Sequence, residues 1–195
     1  MPDEDPSADQ STAESLKEMM RHLESAKKLN KERKRPKRKP RLQGLQKKMA
    51  ERSDTAVLAS NFPARLEELA TYDAVTHRSG KPWVSAKIGV DAHGRLPIYY
   101  RQDGIVTHTG VITRIILNPN PESEEAKEFL KHITESDTYS DNFDELDKTT
   151  YIVEQGTKLA EPFPQTELIK VRNNEPIDEG YSRQPSFVFQ RKGDF

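Results

Sequence analysis

The chain has 195 residues, 33% of them hydrophobic, which allows one domain of ordinary size plus sequence outside any core. It contains no cysteine, so disulfides, thiolate metal sites and cysteine nucleophiles are excluded. No apolar run approaches the roughly 18 residues that span a bilayer, and the N-terminus lacks the apolar core of a signal peptide. We expect a soluble, intracellular protein without a membrane partner, cytoplasmic or, in a eukaryote, nuclear.

Charge is distributed unevenly along the chain, although the formal net charge is only −1. Residues 1–16 contain five acids and no Lys or Arg, and residues 17–52 contain fifteen Lys or Arg against four acids. Residues 53–195 contain sixteen Lys or Arg against twenty-three acids. This asymmetry favours an anionic partner for the basic block.

The N-terminal third predicts three segments. Residues 1–10 are acidic, contain proline and lack an apolar pattern, which predicts a disordered tail. Residues 11–52 predict an amphipathic helix followed by a basic arm, which includes the run KERKRPKRKPR at 31–41 and a short basic helix over 42–52. We expect the folded domain to extend from residue 54 to 195.

Residues 54–195 show short apolar segments separated by turn residues. They predict helices over 61–72 and 118–133, capped by Asn61 and Asn120, and an acidic loop over 134–148. The predicted strands are 56–60, 82–90, 95–101, 105–117, 149–155, 166–171 and 186–191. The fold class expected is α+β, a small mixed or antiparallel β-barrel with two or three helices.

A hairpin is predicted over residues 95–117, with the pair Asp103-Gly104 at its turn. Side chains alternate along a strand, so Tyr99 and Tyr100 are expected on opposite faces. Gly110 interrupts the second strand, which indicates a bulge or a close approach of another chain segment.

Catalytic motifs are not evident. The five histidines lack metal-ligand spacing, and no phosphate-binding glycine loop or serine-hydrolase elbow occurs. We therefore expect no metal, no cofactor and no enzymatic activity. An acidic loop alone is a weak basis for a metal-dependent nuclease, which is the least supported alternative; its carboxylates are Asp137, Asp141, Asp144, Glu145 and Asp147.

The basic run is the strongest electrostatic feature. Eight of its eleven residues are Lys or Arg, and such a cluster can neutralise several phosphates and release their counterions. A solvated linker, a nuclear localisation signal and contact with an acidic protein are the alternatives that stay open. The residues expected to hold phosphates are Lys34, Arg35, Lys37, Arg38, Lys39 and Arg41.

An aromatic and polar pocket is a second candidate site. In the predicted strand 82–90, the chain's single tryptophan shares a face with a serine, and such a face could stack a base and bond its edge. The alternative is that the aromatic residues belong to the core. The residues expected in this pocket are Trp83, Ser85, Tyr99, Tyr100 and His108.

The order of elements resembles the PUA-like superfamily, particularly its EVE and ASCH members. The matching segments lie within residues 56–191 and are SGKPWVSAK, GRLPIYYR, IVTHTGVITRI, TTYIVE and SFVFQR. The resemblance implies a pseudobarrel that binds RNA, or a modified base flipped from DNA, without catalysis. It also implies a restriction or defence enzyme as a partner.

The sequence therefore predicts a nucleic-acid-binding module in which the basic arm holds phosphates and a pocket recognises a base. The alternative is a non-catalytic adaptor. In that case the amphipathic helix would pair with a partner helix, and the basic run would contact an acidic surface.

Overall fold

The computed structural model describes residues 42–134 and 147–195, together with Glu18, Met20, Arg21 and Glu24. Those four residues have helical backbone and exposed side chains, in agreement with the helix predicted there. The basic run, the acidic tail and residues 135–146 of the predicted acidic loop lie outside the described residues.

The folded unit extends from Leu42 to Phe195 and contains four helices and six strands in its described part. The helices are α1 (Gly44–Glu51), α2 (Pro63–Glu67), α3 (Val84–His93) and α4 (Glu124–Leu130). The strands are β1 (Thr55–Ala59), β2 (Ala74–Ser79), β3 (Leu96–Gln102), β4 (Ile105–Leu117), β5 (Thr149–Pro164) and β6 (Ser186–Phe189). Short 3₁₀ turns follow α2 and β5.

The six strands form one mixed sheet in the order β2-β5-β4-β3-β1-β6. β1 and β3 are parallel, and all other neighbours are antiparallel. The predicted α+β class is confirmed. Over residues 42–134 and 147–195 the sheet is open, with β2 and β6 as its edges, and it does not close into a barrel.

The predicted strand 82–90 is wrong, because this segment forms helix α3. The buried residues Ala86, Gly89 and Val90 are spaced three and four apart, which places them on one face of a helix. Gly94 ends α3 in the left-handed conformation, with φ of 73°. The alternation of Trp83 with Ser85 that favoured a strand has no structural role.

One strand was missed, and one further strand prediction is wrong. Strand β2 was not predicted, since its sequence AVTHRS is largely polar. The predicted strand 166–171 is instead a 3₁₀ turn followed by isolated bridges, which pair Ile169 with Pro176 and Lys170 with Val188.

The predicted helix caps are wrong. α4 begins after Ser123, whose Oγ accepts a hydrogen bond from the Ala126 amide at 3.1 Å. Asn120 instead accepts a bond from the Glu122 amide, which forms a turn before the helix. α2 begins after Phe62, and Asn61 makes no side-chain cap to the helix.

The hairpin prediction is confirmed. Asp103 and Gly104 have φ of 48° and 80°, the two left-handed residues that a tight turn between twisted strands requires. Tyr99 and Tyr100 lie on opposite faces, and both are fully buried.

Gly110 allows a close approach between β4 and β5. A Cβ at this position would lie 2.5 Å from Val153 Cγ1, which is well inside van der Waals contact. The β4–β5 register also shifts between Thr109 and Val111. The predicted bulge and close approach are confirmed.

The sheet carries apolar side chains on both faces. One face, with Ile98 and Tyr100, packs against α1 and α3. The other, with Leu58 and Tyr99, packs against residues from the end of β5 and the segment that follows it. A third, smaller cluster lies under α4 around Phe129.

Helix α1 belongs to the folded unit, which therefore begins earlier than the predicted residue 54. Met49 is fully buried in the core with Leu96 and Trp83. His93 of α3 donates from Nε2 to the Met49 carbonyl oxygen at 3.1 Å. The short basic helix predicted over 42–52 is confirmed as α1.

Candidate nucleic-acid interface

A groove of about 590 Å³ is lined by four cations and by no acidic side chain. Its cations are Lys81, Lys170, Arg172 and Arg183. Its apolar and aromatic lining comes from Leu45, Tyr181, Pro185 and Phe187. We call this feature the basic groove.

Three of the four cations are exposed and free to bind an external anion. Lys81, Arg172 and Arg183 have no acidic partner within 4 Å among the residues of 42–134 and 147–195. Lys170 differs, because its Nζ lies 3.1 Å from Asp178 Oδ2 and 3.9 Å from Glu175 Oε2. The groove therefore presents uncompensated positive charge.

The loop 178–183, which carries Tyr181 and Arg183, is held by the buried side chain of Gln165. Its Nε2 donates to the carbonyl oxygens of Asp178, Glu179 and Tyr181, at 3.1, 2.9 and 3.3 Å. The Gln165 amide nitrogen of the main chain donates to the Gly104 carbonyl oxygen at 2.8 Å. The hairpin turn thus positions one wall of the groove.

Arg101 completes this support from β3. Its Nη1 donates to Gln165 Oε1, and its Nη2 donates to the Arg183 carbonyl oxygen at 3.2 Å. The side chain is buried, and burial lowers the pKa of Arg101 because the charged guanidinium loses hydration. Its charge is balanced by main-chain and amide oxygens, with the Tyr181 ring centroid 5.8 Å away.

Helix α1 fixes the opposite wall. Lys48 Nζ donates to the carbonyl oxygens of Val171 and Arg172, at 2.7 and 3.2 Å. Leu45 of the same helix lines the groove directly. The turn that carries Arg172 is therefore tied to α1 by two hydrogen bonds.

A second cluster, buried and aromatic, lies inside the core between β2, β5 and the start of α3. The Trp83 ring stacks on Tyr151 with centroids 4.6 Å apart and an interplanar angle of 27°. His77 lies edge-on to both Tyr100 and Tyr151, and its Nδ1 is 2.6 Å from the Tyr100 hydroxyl. We call His77, Trp83, Tyr100 and Tyr151 the aromatic cluster.

Burial sets the electrostatics of the aromatic cluster. It lowers the pKa of His77 to about 3, with a further contribution from the Arg65 charge, so the imidazole is neutral near pH 7. It also raises the pKa of both Tyr100 and Tyr151. His77 Nε2 and Trp83 Nε1 are buried without a hydrogen-bond partner in the described part of the chain.

The predicted pocket residues do not form one site. Trp83 and Tyr100 meet through Tyr151 in the aromatic cluster, but Tyr99 lies on the other face of the sheet. The Tyr99 hydroxyl donates to Asp194 Oδ2 at 2.7 Å and accepts from the Arg191 amide at 2.9 Å.

The remaining predicted residues lie elsewhere. His108 is buried, and its Nδ1 is 2.9 Å from Thr107 Oγ1. Ser85 is half-buried in the first turn of α3. The predicted phosphate-binding residues lie outside the described residues: Lys34, Arg35, Lys37, Arg38, Lys39 and Arg41.

The sequence prediction missed the basic groove, because residues 170–187 carry no regular pattern. Local composition gave no signal either, because residues 170–187 contain three cations and three acids. The excess of cations in the groove arises only from the folded chain.

In residues 42–134 and 147–195, no three His, Asp or Glu side chains converge as a metal site. Helices in the described part of the chain are too short or too polar to cross a membrane.

No protein-family model, curated protein or solved structure matches this chain. The PUA-like resemblance therefore depends on the sequence segments alone.

Proposed function

We propose that this protein is a nucleic-acid-binding module that holds phosphates with the basic groove and with the basic run 31–41. The observation that carries the proposal is the convergence of Lys81, Arg172 and Arg183 on one concave surface. None of the three is neutralised by an acid of the described chain.

The two basic features are neighbours along the chain. The run ends at Arg41, the folded unit begins at Leu42, and Leu45 lines the groove. Phosphates neutralised by clustered cations release condensed counterions, which makes binding favourable at low salt and weaker at high salt. Each feature by itself is therefore expected to bind phosphates in a salt-dependent way.

The resemblance to the PUA-like superfamily extends the proposal to a non-catalytic module, here with an open sheet over residues 42–134 and 147–195 in place of a closed barrel. It would recognise RNA, or a modified or flipped base, and would act beside a restriction or defence enzyme. The segments GRLPIYYR, IVTHTGVITRI and TTYIVE, which overlap β3, β4 and β5, support this finer assignment.

Charge removal in the groove tests the proposal. In the full chain, Arg172→Gln with Arg183→Gln is expected to weaken oligonucleotide binding and to reduce the slope of log affinity against log salt by about 1.4, since each single-strand phosphate contact contributes about 0.7. Fluorescence anisotropy across a salt series measures both quantities.

The matched control removes equal charge outside the groove, through Arg95→Gln with Lys192→Gln, two exposed residues. Equal losses in the two double variants would show a general charge effect and contradict the proposal. Salt-dependent binding to an acidic protein with none to oligonucleotides would support the adaptor alternative.

A second candidate function is favoured by the aromatic cluster. Trp83 Nε1 and His77 Nε2 are buried and have no hydrogen-bond partner within residues 42–134 and 147–195, and a ligand that bonds such groups offsets the cost of their burial. A planar heteroaromatic base would reach these nitrogens only after an opening of the core, because His77, Trp83 and Tyr151 are each at most 2% exposed and Trp83 already stacks on Tyr151.

Tryptophan fluorescence tests this second candidate, because Trp83 is the single tryptophan of the chain. Titration with unmodified and methylated nucleosides is expected to quench its emission in a saturable way for the recognised base. His77→Phe removes the ring nitrogens and is expected to abolish saturation. Emission unchanged by every nucleoside at millimolar concentration would contradict a base site in this cluster.

A further inference from the structure

Tyr181 is a half-buried aromatic residue on the wall of the basic groove. Its amide nitrogen donates to the Asp178 carbonyl oxygen at 3.1 Å, and its carbonyl oxygen accepts from Gln165 Nε2 at 3.3 Å. The backbone under the ring is therefore fixed at two points. The ring itself packs in part against the core cluster that contains Phe163 and Leu168, and Lys170 Nζ lies 5.8 Å from its centroid. A ring held in this way loses little conformational entropy when a flat ligand stacks on its exposed part.

The groove combines this ring with a second one. Phe187 of β6 is half-buried in the lining, beside Pro185. Cations that follow a backbone together with rings that stack bases form the combination that binds single strands. A duplex keeps its bases stacked inside and offers mainly phosphates, so it would leave the aromatic lining unused.

Gln184 adds a directed polar group to the lining. Its Oε1 accepts a hydrogen bond from the Ser60 amide at 3.2 Å, which fixes the orientation of the side-chain amide. The Gln184 Nε2 group then supplies two N–H donors. Acceptor atoms on the edge of an unpaired base complement these donors.

The size of the groove agrees with a ligand of this kind. Its volume of about 590 Å³ lies inside the range of roughly 300–1,000 Å³ that buries one compact organic ligand. An unstacked nucleotide matches this volume, while a double helix is too wide to enter it.

We propose that the basic groove binds single-stranded nucleic acid, with a base stacked on Tyr181 and the adjoining phosphates held by Arg172 and Arg183. This inference rests on the proposed nucleic-acid-binding function. It moves base recognition from the predicted hairpin pocket to the segment between β5 and β6.

The test compares the full chain with its Tyr181→Leu variant, which keeps an apolar side chain and removes the ring. Probes are a short single-stranded RNA, the DNA of the same sequence, and a duplex with the same number of phosphates. Tyr181→Leu is expected to weaken single-strand binding roughly tenfold, the effect of losing one base stack, with little change in duplex affinity or salt slope.

The matched control is Tyr72→Leu, because Tyr72 is 46% exposed and lies outside the groove lining. This variant is expected to bind like the full chain. Tighter binding to the RNA or to the DNA probe identifies the nucleic acid. Either result supports the inference if Tyr181→Leu weakens binding to the preferred probe.

A second variant covers the case in which Tyr181→Leu fails to fold. Tyr181→Trp keeps a ring in the groove, and quenching of its fluorescence by the single strand reports stacking. The unsubstituted chain, which contains only Trp83, is titrated in parallel and its signal is subtracted. Unchanged emission at saturating single strand overturns the inference. The inference is also overturned if Tyr181→Leu binds single strands with the same affinity as the unsubstituted chain.

The two levels of the proposal fail in different ways. One outcome is salt-dependent binding that is unchanged in Tyr181→Leu and equal for single strand and duplex. This outcome contradicts stacking on Tyr181 and leaves the proposed function intact. Absence of salt-dependent binding to all three probes contradicts the proposed function itself.

Discussion

Replacing the six predicted phosphate-binding residues of the basic run with Gln in the full chain is expected to lower single-strand affinity at least 100-fold at about 0.1 M salt. The slope of log affinity against log salt should fall by about 4, since each of the six contacts contributes about 0.7. The loss exceeds that of the groove variants because more cations are removed. Anisotropy titrations at several salt concentrations measure it.

The control for this experiment removes residues 1–30 and keeps the run 31–41. It deletes the acidic tail and most of the predicted amphipathic helix, and it is expected to retain the full salt slope. Two results would overturn the role of the run: a salt slope unchanged by the six substitutions, or an equal loss after deletion of 1–30. The second result would direct attention to the helix and hence to the adaptor alternative.

The second large effect concerns stability. A chain that starts at Asp54 is expected to have a free energy of unfolding at least about 4 kcal/mol below that of a chain that starts at Leu42. Loss of a fully buried Met side chain alone costs about 2–5 kcal/mol, and Met49 is completely buried. Loss of the two Lys48 hydrogen bonds, to Val171 and Arg172, adds to this cost.

Denaturant unfolding of the two chains, followed by circular dichroism, measures the difference. Within the chain that starts at Leu42, Met49→Ala is expected to cost about 2–4 kcal/mol. Lys47→Ala is the matched control, because Lys47 is exposed and makes a surface ion pair with Glu51 at 3.7 Å. Surface pairs of this kind contribute about 0–1 kcal/mol. Coincident unfolding curves for the chains starting at Leu42 and Asp54 would show that α1 contributes nothing to the fold.

The hairpin was predictable from sequence because its information is local. The Asp103-Gly104 pair specifies the turn, and alternation along the flanking strands specifies which side chains share a face. β3 and β4 accordingly lie within one residue of their predicted bounds. Tyr99 and Tyr100 separate as the alternation requires.

Helix α3 was missed because two local patterns compete in one short segment. Trp83 and Ser85 suit a strand face, while Ala86, Gly89 and Val90 suit a helix face. Tertiary contact decides between them: a Cβ at Gly89 would lie 3.2 Å from Met49 Cε of α1. A partner distant in sequence is needed to explain why glycine stands inside this helix.

Strand β2 was missed because its polar residues find their partners far along the chain. Thr76 Oγ1 donates to the Phe129 carbonyl oxygen at 2.6 Å, and Arg78 pairs with Asp147 at 3.4 Å. Polar side chains satisfied in this way can be buried in a sheet. Their sequence alone resembles a loop.

The basic groove was the least predictable feature. Its walls come from α1, from Lys81 near the end of β2, and from the segment between β5 and β6. No local spacing relates these three parts, and only the folded chain brings their cations together. The sequence could indicate anion binding through the basic run, but it could not locate a second set of cations on the folded unit.

The loop 178–183 is fastened by its main chain. Gln165 and Arg101 bind four carbonyl oxygens of this loop, and they contact none of its side chains by hydrogen bonds. Every amino-acid residue has this main-chain carbonyl oxygen. Exposed side chains of the loop can therefore be substituted without loss of these hydrogen bonds. A library randomised at the exposed Arg183, with Gln165, Arg101 and the partly packed Tyr181 held constant, would therefore vary ligand preference on an unchanged scaffold. Because the hydrogen bonds hold the main chain, the ligand preference of this surface can change in evolution while the backbone of the loop stays the same.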